Sequence, residues 1–573
     1  MKMFDNLESK LEEIRTNDYY KPYINEFKGL YDKDKENPIL PLSYKTFMTF
    51  VEKGSRAESE KPYFHKRRRL GYLTMLALIY PEETKYIDDI CEVVWSICSE
   101  ISWVIAAHLH CNLTEHKSII DLFAAETGLY LSELVYLLGD RLPKNICDLI
   151  KTEVSLRIFD TMENTANWWE SLNSNWAAVC GGSVGMAYMY LAPERFSMVK
   201  ERIMKSMSNY LDGIGEDGCC SEGISYWCYG FSFYIHFAEM LYRFTDGKDD
   251  IRYIEKVKKL VEFQQNMIMR NHTLVSFSDG KTEDTFIHIG LYNYLKQHYQ
   301  NFKVPQIDSY NNESKNNMYG WGHSLTGAKP SWTIRDLLWS DAKLKSDIGT
   351  DTGYKYYDVT QWYLQKKEKY SFAAKAGHNG EEHNHNDVGT FIIAADKGQM
   401  ICDLGAMEYT KAYCDPKERY NVFNVSSLGH SVPIIDGKGQ FSGKMFSAAN
   451  VSATDCSFTM DIEGAYKTDI KKITRSFNVT ESAVILTDEY MCNDFEKHKI
   501  TERFISVIEP QIVQGGVKIG DVTIKTTANA KIGKVVENDH NAKPMDIYTL
   551  DFEVQEKVFQ VMFEIWYQTP FLN

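Results

Sequence analysis

The chain has 573 residues, 44% hydrophobic and 25% charged, and its 79 acidic and 64 basic side chains give a net charge of −15. This composition is that of an ordinary globular protein, which excludes a disordered, collagen-like or coiled-coil chain. The acidic balance also argues against a nucleic-acid-binding protein, because binding to phosphates needs a basic surface.

The start of the chain is charged and amphipathic, without the apolar core that a secretory signal needs. The longest apolar stretches, such as residues 70–80, are too short to span a bilayer. The 12 cysteines form no CxxC pair, a pattern typical of a reduced intracellular chain. We therefore expect a cytoplasmic protein that does not contact a membrane.

Helical periodicity runs from the N-terminus to about residue 340. Ile146, Ile150 and Val154 share one helix face, for example, and apolar residues elsewhere repeat at the same spacing. The pattern contains no repeat of fixed period, so it favours a closed helical array over a regular solenoid. Helices are predicted over residues 66–80, 87–109, 131–139, 226–244 and 251–269.

The pattern changes after about residue 347 to short alternating or apolar runs bounded by Gly, Asn and Asp. Such runs predict an antiparallel β-sandwich. The predicted fold class is therefore multidomain α+β, with a helical domain over residues 1–345 and a sandwich domain over residues 346–573. Strands are predicted over residues 389–395, 400–404, 432–435, 483–487 and 558–567.

The densest polar cluster contains His383 and His385, and Asp403 and His430 follow it. Two residues that are two positions apart on a strand face the same way. Imidazoles and a carboxylate brought together by neighbouring strands would suit Zn²⁺. The spacing alone leaves two interpretations open, a metal site or a polar loop whose histidines bond to their neighbours.

Two further clusters precede the strands. The first is Asn175-Trp176 before the glycine run 181–185, which lacks the Gly-Lys-Ser/Thr ending of a phosphate-binding loop. The second is the loop over residues 217–230, which opens a helix and contains Tyr226. By themselves these aromatic residues would be ordinary packing residues.

Four segments, in this order, resemble the heparinase II/III-like polysaccharide lyases and the related alginate and oligoalginate lyases: SNWAAVCGGSVG, DGCCSEGISYWCYG, HNHNDVGTFIIAADKGQMICDLG and ERYNVFNVSSLGHSVPIIDG. The stretch from Trp103 to Glu126 is also similar to this family. The resemblance implies an incomplete α/α toroid followed by an antiparallel β-sandwich. It also implies cleavage of uronic-acid-containing glycans by β-elimination, with glycosaminoglycans favoured, to give unsaturated uronates.

The resemblance assigns roles to individual residues. Tyr226 takes the place of the catalytic acid, His383 that of a base or a neutraliser of the sugar carboxylate, and Asn175 that of a second neutraliser. Whether Tyr226 also serves as the base stays open. The implied metal ligands are His385, Asp403 and His430, for a structural zinc or another divalent ion. The implied substrate contacts are Trp176, Glu222, Tyr229, Arg419, Tyr420 and His108.

This assignment suits the chemistry, because removal of the C5 proton builds charge beside an existing carboxylate. Hydrogen bonds aimed at that carboxylate would stabilise the transition state. One position departs from the family pattern, since several relatives have histidine where this chain has Trp176. The sequence leaves open which uronate glycan is cleaved and whether it is an oligosaccharide or a polysaccharide. It also leaves open the oligomeric state of the protein.

Two alternatives belong to other functional classes. The first is a glycoside hydrolase that uses a carboxylate pair, either Asp217 with Glu222 or Asp279 with Glu283. The second is a carbohydrate-binding protein without activity, because a fold does not guarantee catalysis. The products separate these alternatives, since elimination creates a conjugated double bond and hydrolysis adds water.

Overall fold

A computed structural model describes residues 3–4, 6–54, 56–109, 116–280, 288–304, 329–345, 347 and 352–565. The chain forms two compact units. The helical unit comprises Met1–Ile214, Tyr226–Lys258 and Thr285–Lys345, and the sheet unit comprises Gly215–Ser225, Lys259–Asp284 and Ser346–Asn573.

Helices make up most of the first half of the chain. The α-helices are Leu7–Thr16, Lys21–Asp34, Tyr44–Lys53, Arg56–Ile79, Lys85–Cys98, Ala106–Leu109, Leu122–Leu138, Lys144–Val154, Asp160–Asn164, Asn175–Leu191, Phe196–Asp212, Ile224–Phe244, Glu255–Val261, Phe263–Met267, Ile289–His298 and Pro330–Leu338. A short helix, Lys411–Cys414, lies in the sheet unit.

The helix Asn175–Leu191 is central to the helical unit. It packs against Leu122–Leu138 and Phe196–Asp212, and most of its residues are buried. At Gly185 a Cβ atom would lie only 2.5 Å from the Phe237 ring, so a larger residue would push the neighbouring helix away. The glycine run is therefore a helix-packing surface.

The structure confirms most of the predicted helices. The predicted helix 226–244 is observed as Ile224–Phe244. The prediction of one helix over residues 87–109 is wrong, because the first helix ends at Cys98. The chain turns there and buries Glu100, whose carboxylate lies 2.5 Å from Lys66 Nζ and 2.7 Å from Arg67 Nη2.

The described residues of the sheet unit form 19 strands, and every pairing among them is antiparallel. The strands are β1 Gly353–Tyr357, β2 Trp362–Lys366, β3 Ser371–Lys375, β4 His378–Asn379, β5 Phe391–Ala395, β6 Gly398–Ile401, β7 Pro433–Ile435, β8 Gly443–Ser447, β9 Ala449–Ala453, β10 Ser457–Asp461, β11 Lys472–Val479, β12 Ala483–Met491, β13 Ile500–Ser506, β14 Gln511–Val513, β15 Gly516–Ile519, β16 Val522–Lys525, β17 Ala530–Asn538, β18 Pro544–Glu553 and β19 Val558–Ile565. Their orders in the four sheets are β1-β2-β3-β5-β6, β14-β15-β16-β19-β12-β11-β10-β9, β17-β18-β13-β7 and β4-β8.

Aromatic side chains from the three larger sheets form the core of the sandwich. The Phe391 ring on β5 lies 5.1 Å from that of Phe477, 5.6 Å from that of Phe504 and 5.4 Å from that of Phe563, between ring centroids. These rings come from three different sheets, so the sheets share one apolar interior. Burial alternates along β11 and β19, as expected for strands with one face toward a core.

Two segments in the range predicted for the helical domain, 215–225 and 259–284, pack in the sheet unit. The second covers β6, where Gln399 donates a hydrogen bond to the Leu274 carbonyl at 2.7 Å, and it places Phe277 against Trp362 on β2. This cover explains why β3 and β5 are buried along their whole length. It also brings Asp279 into the sheet unit.

The predicted α+β class, a helical N-terminal region followed by an antiparallel sandwich, is confirmed. The predicted strands at 389–395, 400–404, 432–435 and 483–487 are all present with shifted ends. The last predicted strand is observed as Val558–Ile565, and its final residues lie outside the described range. In the described part of the chain, no helix combines the length and the apolar character needed to cross a membrane.

Glu26 gives the helical unit a pH-dependent weakness. Burial raises the pKa of this half-buried carboxyl from its ordinary value near 4.5 to about 7. The folded state therefore favours the protonated form of Glu26. The contribution of this group to the free energy of unfolding is complete below about pH 4.5 and is lost as the pH rises through about 7. We expect Glu26→Gln to stabilise the protein by about 1–2 kcal/mol near about pH 8 and to have almost no effect near about pH 4.

Thermal unfolding at the two pH values checks this prediction, with the exposed Glu36→Gln as the control. An equal shift of Tm at both pH values would contradict it.

Candidate functional site

A buried carboxylate, Asp279, is the centre of the densest polar cluster in the sheet unit. It lies 2.7 Å from His383 Nδ1 and 3.1 Å from His385 Nε2, and its side chain is 1% exposed. Arg419 Nη2 is 3.2 Å from each carboxylate oxygen, and the Tyr413 hydroxyl donates to Oδ1. One side chain thus anchors two histidines, an arginine and a tyrosine.

The charge state of Asp279 follows from these contacts. Burial alone would raise its pKa, but the Arg419 charge and the hydrogen bonds from His383 and His385 hold the pKa well below its usual range. An ionised carboxylate can only accept hydrogen bonds. In the neutral rings the proton therefore sits on Nδ1 of His383 and on Nε2 of His385, so Nε2 of His383 and Nδ1 of His385 are the unprotonated nitrogens.

His383 is the most exposed histidine of this cluster. Its side chain is 28% exposed, and its Nε2 lies 3.7 Å from Glu222 Oε2. Burial disfavours its charged form, but the hydrogen bond to Asp279 and the negative charges of Asp279 and Glu222 together outweigh burial and raise the pKa of His383. The backbone φ of His383 is 57°, a left-handed conformation that costs a non-glycine residue energy and is frequent at functional sites.

The three predicted metal ligands lie together. One ligand atom from each of His385, Asp403 and His430 falls within 4.8 Å of the others, and all three side chains are buried. His385 Nδ1 is 3.2 Å from His430 Nε2, and His430 Nδ1 is 3.2 Å from Asp403 Oδ2. Adjacent ligand atoms in a tetrahedral zinc site lie about 3.3 Å apart, given Zn–N bonds of about 2.0–2.1 Å.

The chemistry of these donors also suits a cation. Neither Asp403 Oδ2 nor His430 Nδ1 makes a well-directed hydrogen bond within the described residues, although both are buried. Burial lowers the pKa of His385, which keeps this ring neutral as a ligand must be. The His385 Nε2 proton is held by Asp279, an outer contact of the kind that orients metal-binding histidines. Two nitrogens and one carboxylate oxygen therefore fit zinc.

The predicted substrate contacts Arg419 and Tyr420 lie in the turn Arg419–Asn421. Tyr420 donates a 2.8 Å hydrogen bond to Oδ1 of Asn384, the residue between the two histidines. Arg419 also lies over the Tyr413 ring, 4.4 Å from its centroid. Both residues therefore brace the histidine loop.

In the helical unit, Asn175 and Tyr226 lie at the starts of two adjoining helices. A Cβ atom at Gly230 would lie 3.1 Å from Asn175 Cβ, so the helices are in close contact there. Tyr226 is four residues before Gly230 and thus on the same helix face. The loop before Tyr226 needs glycine at position 223, where φ is 91° and a Cβ would lie 2.9 Å from the Phe277 carbonyl oxygen.

The hydroxyl of Tyr229 is engaged inside the helical unit. It donates to Glu126, which also accepts two hydrogen bonds from Lys329 at 2.9 and 3.0 Å. Burial and the Glu126 charge raise the pKa of Tyr229 well above its usual range. The structure therefore gives Tyr229 an anchoring role in the helix that carries Tyr226.

His108 and Trp176 are neighbours in the helical unit. Their ring centroids are 5.0 Å apart, and Trp176 lies 4.7 Å from Trp168, which is 55% exposed. His108 Nδ1 is 2.8 Å from Asp121. Because Trp176 directly follows Asn175, this aromatic row begins beside a predicted catalytic residue.

Two of the four carboxylates proposed for a hydrolase, Asp217 and Asp279, make structural contacts. Asp217 accepts hydrogen bonds from the backbone N–H groups of Cys219 and Val359, at 3.0 and 3.2 Å. Asp279 is held in its ionised form by four side chains and is unsuited to donate a proton. Glu283 lies outside the described residues.

Sequence reasoning assigned Asp279 to the alternative function and did not single out Tyr413. Asp279 is 104 positions before His383 and has no local pattern of its own. Tyr413 could have been considered as a site residue, because it lies only six residues before the candidate Arg419, in a segment that contains the turn-forming residues Asp415 and Pro416.

Comparison with known proteins finds a family model that matches part of the chain. Residues 349–542 match the family model "Heparinase II/III-like, C-terminal". No curated protein sequence matches the chain. The chain is also similar in structure to a heparan sulfate lyase mutant from Pedobacter heparinus, with a TM-score of 0.59, 11% identity, and coverage of 99% of this chain and 92% of that one.

Two other solved structures are similar. A chondroitin AC lyase from Streptomyces coelicolor, in complex with chondroitin sulphate, gives a TM-score of 0.56 at 10% identity, over 98% of this chain and 83% of that one. A Paenibacillus xanthan lyase gives 0.52 at 11% identity, over 99% and 60% of the two chains. The chain therefore has the fold of these lyases, and the resemblance to the heparinase II/III-like family is confirmed.

Proposed function

We propose that this chain, whose residues 349–542 belong to the heparinase II/III-like C-terminal family, is a polysaccharide lyase that cleaves uronic-acid-containing glycans by β-elimination. The Asp279 carboxylate carries the proposal, because it fixes the tautomer of His383 so that Nε2 is the unprotonated nitrogen of a partly exposed neutral ring. Glycosaminoglycans are the favoured class, since similar folds occur in lyases named for heparan sulfate and chondroitin.

In the proposed reaction, the C5–H bond and the C4–O4 bond of the sugar break and a C4=C5 double bond forms. The Asn175 amide stabilises the charge that grows on the uronate carboxylate, and His383 does so as well when its ring is protonated and donates from Nε2. Tyr226 donates its hydroxyl proton to the leaving O4. If the C5 proton lies on the face opposite to O4, it passes to Nε2 of a neutral His383. If it lies on the same face, an ionised Tyr226 takes it and then donates that proton to O4.

We also propose that His385, Asp403 and His430 hold zinc. When bound, zinc would neutralise the buried Asp403 charge and tie the loops of these ligands together. We expect the purified protein to retain about one zinc per chain after dialysis, and His385→Ala or His430→Ala to retain almost none. Elemental analysis measures this.

The matched control is His378→Ala, which removes a half-buried histidine of the same unit that pairs with Glu381 at 3.1 Å. It should keep its zinc. Full zinc content in His385→Ala would contradict the ligand assignment.

The experiment that tests the lyase function is ultraviolet absorbance during incubation with a panel of uronate oligosaccharides, including heparan, chondroitin and alginate fragments. A lyase produces an absorbing unsaturated uronate. New reducing ends without absorbance would instead indicate the hydrolase, and binding without either signal would indicate the non-catalytic protein.

A further inference from the structure

A charged cluster lies inside the sandwich, where apolar residues would be expected. Arg475 on β11 faces the interior on the same side as Ile473 and Phe477, and it is fully buried. Asp488 on β12 is its cross-strand partner, and Glu502 on β13 is a second acidic partner; both are fully buried. Burying these charges costs free energy, which only a complete set of hydrogen bonds can offset.

Every N–H of the Arg475 guanidinium has an acceptor. Nε and Nη2 donate to Asp488 at 2.9 and 2.6 Å, and Nη2 also donates to Glu502 at 2.8 Å. Nη1 donates to two backbone carbonyls, those of Gly389 and Ser431, at 2.9 Å each. A guanidinium has five N–H donors in a fixed planar fork, and all five are used here.

The two carbonyls belong to the loops of the candidate metal site. Gly389 ends the loop that begins at His383 and contains His385, and Ser431 directly follows His430. The Gly389 N–H is held by the Lys375 carbonyl at 2.9 Å, and the Ser431 hydroxyl accepts from the Ile505 N–H at 3.1 Å. The guanidinium therefore connects two loops that are also anchored separately, for example by the 2.8 Å hydrogen bond from the Val388 N–H to Gln440 Oε1 and the 2.7 Å hydrogen bond from the Ser427 hydroxyl to the Asn386 carbonyl.

We infer that Arg475 is a positioning residue, which sets the distance between the His385 loop and the His430 segment and thereby the geometry of the metal site. The inference rests on the zinc site proposed above. An apolar side chain could fill the same volume without the cost of burying charge, but it could not hold two carbonyls at once. A lysine could not hold both carbonyls and also pair with both carboxylates, because its ammonium has only three donors and lacks the planar fork of a guanidinium.

The test is Arg475→Lys, with zinc alone as the probe. We expect its zinc affinity to fall by about 10–100-fold, the usual cost of losing a contact that orients a ligand. Competition with a chromophoric chelator measures the affinity, and circular dichroism and thermal unfolding show whether the variant is folded. A crystal structure of the variant should show a wider separation between the carbonyl oxygens of Gly389 and Ser431.

The matched control is Arg335→Lys in the helical unit. Arg335 is also fully buried and pairs with Glu133 at 2.8 Å, so its replacement loses a comparable buried contact. We expect it to lower Tm and to leave zinc affinity unchanged. If Arg475→Lys does not fold, Asp488→Asn keeps the arginine and weakens its anchor, and should reduce zinc affinity severalfold.

The outcomes separate this inference from the proposals beneath it. Parental zinc affinity in a destabilised Arg475→Lys, or in Asp488→Asn, overturns the positioning role. Absence of zinc binding in the parent protein overturns the metal site and this inference together, while lyase activity would still stand. Zinc binding that depends on Arg475, in a protein that cleaves no uronate glycan, supports the inference and rejects the lyase.

Discussion

Tyr226→Phe is expected to lower kcat by about 10²–10⁴-fold, with KM within about threefold of the parent value. The change removes only the hydroxyl, so the ring keeps its packing in the first turn of Ile224–Phe244. The leaving O4 would then depart without a proton, which penalises the transition state far more than the bound substrate. Steady-state kinetics on the best oligosaccharide of the panel measures both constants.

The control for this variant is Tyr234→Phe, two turns later in the same helix. The Tyr234 hydroxyl donates a 2.9 Å hydrogen bond to the Ile251 carbonyl, so its loss should cost about 1 kcal/mol of stability and leave kcat unchanged. If Tyr226→Phe retained more than about a tenth of the parental kcat, Tyr226 would not be the general acid.

Asp279→Asn is expected to have the second large effect, on three properties at once. The amide has only one acceptor oxygen. Its NH₂ group would face one of the donors of His383, His385, Tyr413 and Arg419, and two donors cannot form a hydrogen bond with each other. Breaking the buried pair with Arg419 should cost about 3–5 kcal/mol of stability. We expect zinc affinity to fall about 10–100-fold and kcat to fall by at least about 10²-fold, because both histidines lose their fixed tautomer.

Urea unfolding, zinc competition and steady-state kinetics measure these effects. The matched control is Asp396→Asn, which breaks a surface pair with Arg270 in the same unit and should cost less than about 1 kcal/mol. Normal zinc affinity and normal kcat in a destabilised Asp279→Asn would show that this carboxylate serves only the fold.

Much of the fold could be predicted because its signals are local. The strand at 558 shows its period within one element, since one of its faces is buried, and the helix over residues 226–244 is a long apolar run that is buried throughout its middle. The set of His385, Asp403 and His430 was predicted by resemblance, and the structure brings these residues together. Whether they bind zinc stays a prediction.

The rest depends on contacts between distant parts of the chain. Nothing near Asp279 indicates that it will meet His383, and nothing near Glu100 indicates that Lys66 and Arg67 will bury it and end a helix at Cys98. A charged residue at an inward position of a strand, as at Arg475, looks locally like an error in register. Only the acidic partners on other strands and the carbonyls of two loops explain it.

The sheet unit takes its chain from three separate stretches, and this limits how the protein can be dissected. A fragment beginning at residue 346 would lack the segment 259–284, and with it Asp279. Its inner strands β3 and β5 would lose an apolar cover, and a newly exposed sheet face invites aggregation. Cleavage at the apparent boundary between helices and strands should therefore yield an insoluble product, and a soluble sheet fragment would need the missing stretch grafted back.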